Sequence, residues 1–86
     1  MKISFDVQLR EGRSGVEARN VILGLTGHGI KQDAAVESLK RGILAWCLGL
    51  RKAGILENVL EHKGITFHRD GNAIDIEIGD VAWVKD

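Results

Sequence analysis

Apolar and polar residues alternate strictly at the start of the chain, with Ile3, Phe5, Val7 and Leu9 set against Lys2, Ser4, Asp6, Gln8 and Arg10. A period of two sustained this long predicts a strand with one buried face. Residues 11–15 (EGRSG) carry two glycines and a serine, a composition that suits a hairpin turn. Beyond the turn, Val16 and Ala18 keep the period, and Val21, Leu23 and Leu25 resume it in the opposite phase. A second strand with a bulge near Asn20 reconciles the two halves. Gly24 and Thr26-Gly27-His28-Gly29 then end that strand and lead into a helix.

The period changes over Ala34 to Ala53 (AAVESLKRGILAWCLGLRKA), where Val36, Leu39, Ile43, Trp46 and Leu50 recur at steps of three and four. That spacing predicts an α-helix with these residues on its covered face. Beside them runs a stripe of small residues, Ser38, Gly42, Ala45, Gly49 and Ala53. Glycine within a helix costs about 1 kcal/mol relative to alanine, so Gly42 and Gly49 predict close approach by another backbone. From Ile43 to Leu50 the helix is apolar nearly all round, which calls for more than one packing surface. Asp33 suits either the N-cap or, if the helix starts earlier, the positive end of its dipole.

Gly54 interrupts the helical pattern. Ile55, Leu56, Val59 and Leu60 fit a shorter second helix ended by Gly64. Residues 65–78 read as a hairpin with Asp70-Gly71 as its turn. Pairing Arg69 with Asn72 sets Phe67 opposite Ile74 and Ile65 opposite Ile76 on one face, with Thr66, His68, Ala73 and Asp75 on the other. Gly79-Asp80 makes a break, and Val81-Ala82-Trp83-Val84 follows as an apolar segment with no partner evident in sequence. The predicted fold is a single α+β domain over residues 1–86, an antiparallel sheet with one long helix packed across it, in the order β-β-α-(short α)-β-β.

Charge and composition narrow the function classes. Twelve basic residues balance twelve acidic ones, so no long-range field favours nucleic acid or an anionic membrane. No apolar run approaches the ~20 residues of a membrane span. The single Cys47 cannot form an intramolecular disulfide and reads as a small core residue in a reduced compartment. The expected location is the cytoplasm.

No catalytic constellation is present, and no enzyme activity, cofactor or metal is expected. His28 sits in a Gly-His-Gly turn where it could approach a partner. His62 and His68 lack the nearby Cys or His spacing of a zinc site. Cys47, between Trp46 and Leu48, lies in the most apolar stretch, which is unsuited to a thiol–imidazole dyad. Asp75 and Glu77 alternate outward on a strand, as solvated charges do. Arg10, Arg13 and Arg19 gather about the first hairpin without an aromatic platform and read as a solvated rim.

Leu23 to Leu44 (LGLTGHGIKQDAAVESLKRGIL) resembles the HicB family of type II antitoxins, in which a strand, a Gly-containing turn and a polar cap feed a Glu-Glu-Ala-Leu-x-x-Leu helix. Ala35 and Leu39 stand in the Ala-x-x-x-Leu spacing here, Lys31 at the usual capping Thr and Ala34 at an acidic position. The preceding hairpin and the short segment Ala53 to Lys63 fit the same family. The resemblance implies a domain like a truncated ribonuclease H sheet, without that activity, which binds a small HicA-type ribonuclease toxin and blocks its access to RNA. The family's operator-binding extension does not follow Asp86 in this sequence, so specific DNA binding is not expected of it. The alternative is a stand-alone homo-oligomeric module that binds a small ligand or another protein. Either way, self-association as a twofold dimer is expected, through the Ile43 to Leu50 surface, the Val81 to Val84 segment, or both. His28, Leu44, Leu48 and Trp83 are the expected partner-binding residues. Trp83 could instead fold back against Leu56 and Leu60.

Overall fold

The computed structural model describes residues 1–85; Asp86 lies outside them. Three strands come first, β1 (Lys2–Gly12), β2 (Gly15–Asn20) and β3 (Leu25–Gly29). The long helix α1 (Gln32–Lys52) and the short α2 (Leu56–Lys63) follow, and then β4 (Phe67–His68) and β5 (Asp75–Trp83). The class is α+β, as the sequence predicts. The alternation in β1 has the predicted consequence: Ile3, Phe5, Val7 and Leu9 are buried against α1, while Lys2, Asp6, Gln8 and Arg10 face solvent.

The run from Val16 to Leu25 is two strands rather than one bulged strand. Asn20 is the reason. It is buried; its side-chain oxygen accepts the Leu23 N–H at 2.9 Å and its carbonyl accepts the Gly24 N–H at 2.9 Å. Both bonds close a tight turn, and Gly24 completes it with a φ of 67°. The opposite phase of Val21, Leu23 and Leu25 therefore marks a reversal of the chain. Of the two glycines expected to end a strand, Gly27 lies inside β3 and Gly29 is its last residue; β3 pairs antiparallel with β2 from Val16↔Gly29 to Asn20↔Leu25.

These two glycines, and not those of the helix, permit the close backbone approach. A Cβ on Gly27 would lie 2.6 Å from the carbonyl oxygen of Ala35 and would overlap the backbone of Leu39. A Cβ on Gly29 would lie 2.5 Å from the backbone nitrogen of Ala35. Around Gly42 and Gly49 there is open space. The buried stripe of α1 is accordingly Ala35, Leu39, Ile43 and Cys47, with Val36, Trp46 and Leu50 packed only partly against the core. The helix is turned so that small Ala35 meets glycine, which lets the α1 backbone rest on β3.

Lys31 is the N-cap and makes no side-chain cap bond, which leaves Asp33 in the first turn, where its charge suits the dipole. Gly54 and Gly64 adopt the positive φ values, 76° and 72°, that end the two helices. Leu56 and Leu60 of α2 close the core near Ile65.

The predicted β4–β5 hairpin does not form. The Asp70-Gly71 loop instead wraps the start of β1, with the Met1 amino group 2.9 Å from the Asp70 carboxylate, and β1 stands between the two strands. Ile3 pairs with Phe67 of antiparallel β4 and with Ile76 of β5. β5 runs parallel to β1 along most of its length, from Lys2↔Asp75 to Leu9↔Trp83. Burying the start of β1 between two strands satisfies its backbone on both sides, which a separate hairpin would not do. Gly79-Asp80 is a bulge within β5, two residues set against Asp6 alone. The extra residue moves the inward side from Ile76 and Ile78 to Val81 and Trp83, so the final apolar segment finds its partner in Val7 and Leu9.

Candidate functional site

Because the helix sits down on β3, it stands off from β5. α1 lies close over β3 and β2 and meets β5 only marginally. The apolar face of the sheet is therefore covered unevenly. Ile3, Phe5, Val7 and Leu9 are buried, whereas Ile74, Ile76 and Ile78 are half-exposed on the same face, and Val81 and Trp83 are 44% and 47% exposed. Beside Ile74 and Ile76 a groove of about 240 Å³ separates β5 from α1, lined on the helix by Glu37, Lys40, Arg41 and Leu44.

β5 is also an edge. Its only strand partner among the described residues is β1, so alternate backbone N–H and C=O groups on its other side are open to a further strand. Its sequence is acidic and apolar by turns: Asp75, Glu77 and Asp80 are its only charged residues. Lys2 from β1 lies 3.8 Å from Glu77. The surface thus combines an apolar floor with a free backbone edge, while Asp75 and Glu77 alternate with the isoleucines and project towards the other face of the sheet.

Two of the four expected partner-binding residues border this surface. Leu44 lines the groove and Trp83 ends the exposed row. Leu48 lies one turn beyond Leu44 on α1 and is 42% exposed. His28 is elsewhere. It lies on β3, opposite Glu17, with its Nε2 3.4 Å from the Glu17 carboxylate, and its backbone N–H donates to Ser38 Oγ at 3.3 Å. With Arg10, Ser14 and the exposed Ile30 it borders a shallow concavity of about 480 Å³ at the first hairpin. Trp83 pairs with Leu9 and does not fold back on Leu56 and Leu60. Ile74, Ile76 and Ile78 were not legible as surface residues, whereas Val81 lies in the segment expected to meet a second copy. The Asp70-Gly71 signal assigned the three isoleucines to a hairpin, and only the parallel pairing with β1 places them in one row with Val81.

Chemistry is sparse elsewhere. Burial pushes the Cys47 thiol up to about 11, so it is held neutral. His62 and His68 are both exposed. Among the described residues, no group of three or more His, Cys, Asp or Glu is placed to hold a metal ion, and no helix is long and apolar enough to cross a membrane. Compared with family models, curated proteins and solved structures, the chain matches none.

Proposed function

We propose that the chain is a HicB-like antitoxin-type module that neutralises a small HicA-type ribonuclease by binding it as a protein and covering its route to RNA. The observation that carries protein binding is the uneven cover of the sheet: one helix seated on glycines at β3 leaves the β5 side of the apolar face for something outside the chain. The kind of partner comes from the resemblance at Leu23 to Leu44. An extended segment of the partner could add to the free edge of β5 by main-chain hydrogen bonds, with apolar side chains over Leu44 and Ile76.

The test is co-expression in cells with the product of the adjacent reading frame, where that encodes a small basic protein. Growth arrest by that product alone, relieved by this chain and not by its Leu44→Glu variant, is the expected result. An adjacent product that is harmless, or arrest that this chain leaves unrelieved, contradicts the reading.

A further inference from the structure

We infer that the C-terminal half of β5 pairs with the same segment of a second copy of this chain, antiparallel about a twofold axis at Ala82, and joins two sheets into one. This is independent of the antitoxin reading and requires no toxin.

The register follows from three observations. First, the Val84 N–H donates to the Leu9 carbonyl at 2.8 Å. Backbone groups alternate along a strand, so those of Ala82 also face β1, and those of Val81 and Trp83 point to the open edge. Second, Val81 pairs with Val7 and Trp83 with Leu9, which places both side chains on the same face as α1, on the part of it that the helix leaves uncovered. A twofold axis at Ala82 sets Val81 of each copy opposite Trp83 of the other. Both backbone bonds of that pair form, and a β-branched residue meets an aromatic one, a favourable cross-strand combination. The smallest side chain of the segment then meets its own mate on the axis. Third, charge excludes the central alternative. An axis between Ile78 and Gly79 would oppose Glu77 to Asp80, whereas the axis at Ala82 opposes Asp80 to Val84. With no formal net charge, two copies have no long-range repulsion to overcome.

A second copy fits this half of β5 better than a foreign chain because the segment complements itself in register, side-chain type and charge. The acidic half, Asp75 to Ile78, stays outside the pairing and beside the α1 groove. Both surfaces can therefore be occupied at once.

In this arrangement Ala82 faces its mate as a non-hydrogen-bonded antiparallel pair, with Cα atoms about 4.5 Å apart, within the range that a disulfide spans. The experiment is sedimentation at micromolar concentration of the full chain and of Val81→Lys, together with mild oxidation of Ala82→Cys beside an Asn58→Cys control. A dimer for the unaltered chain, a monomer with unchanged circular dichroism for Val81→Lys, and a disulfide-linked dimer for Ala82→Cys but not for the control are expected. Monomeric unaltered chain, a dimer that survives Val81→Lys, or an Ala82→Cys variant that cross-links no faster than the control overturns the inference. If Val81→Lys fails to fold, the sedimentation and cross-linking results decide alone.

Discussion

The carboxylate of Asp6 accepts the backbone N–H of Asp80 at 3.0 Å, so a side chain of β1 occupies the bulge of β5. On the other side, the Asp6 carbonyl accepts from the Asn20 side-chain amide at 2.9 Å. One residue thus ties the first strand to the bulge that aims Trp83 and to the turn that starts β3. A Cβ on Gly79 would lie 2.6 Å from the same Asp6 oxygen. Gly79→Ala and Asp6→Ala are each expected to lower stability by about 1 kcal/mol, the usual scale of one net hydrogen bond. Urea denaturation checks this. The two together should cost less than the sum, because either one alone already breaks the same contact.

Asn20 carries more. It is buried, and its side chain both donates and accepts. Asn20→Ala removes both bonds and leaves two partly buried backbone groups without these partners, so a loss of about 1–2 kcal/mol is expected. Asn20→Asp should also destabilise, since a carboxylate cannot donate to the Asp6 carbonyl. Thermal melts of both variants measure the loss.

The glycines should divide by location. Gly27→Ala forces a methyl into the α1 backbone, and overpacking of this kind costs about 1–3 kcal/mol or more. Gly42→Ala and Gly49→Ala meet open space and should stabilise by about 0.5–1 kcal/mol each through helix propensity. Opposite signs in denaturation midpoints are the expected outcome; equal signs would show that α1 is seated some other way.

Much of this was legible in the chain. The alternation at Ile3 to Leu9, the helix period and the terminating Gly54 and Gly64 act locally, so sequence carries them. What was not legible is tertiary. A Gly-Asp step reads as a break, yet Asp6 turns it into a bulge. Asp70-Gly71 reads as a hairpin, yet the start of β1 occupies the space between its arms. Small residues on a helix advertise close approach, yet a strand glycine can supply the same approach from the other side. Leu44 and Trp83 were legible as apolar residues in excess of the core. The row they border required the parallel pairing of β5, which no local pattern encodes.

Cys47 gives a pH prediction. Its thiol is raised by burial to about 11, above its value in an unfolded chain, so the folded state favours the neutral form. Its contribution to stability is complete below the ordinary thiol range and is lost as pH rises towards about 11. Ellman's reagent at pH 8 should label it slowly, at a rate that rises with urea in step with unfolding. Rapid labelling of folded protein would place the thiol at the surface.

The central claim is that the half-covered face beside β5 binds a small ribonuclease. Its most direct test is a titration with this chain of RNA cleavage by the purified product of the adjacent gene, where that product is a small ribonuclease. Cleavage should fall in proportion to added chain and vanish near equimolar amounts, while the folded Leu44→Glu variant should inhibit far more weakly. Cleavage unchanged by a large molar excess of folded chain would contradict the account.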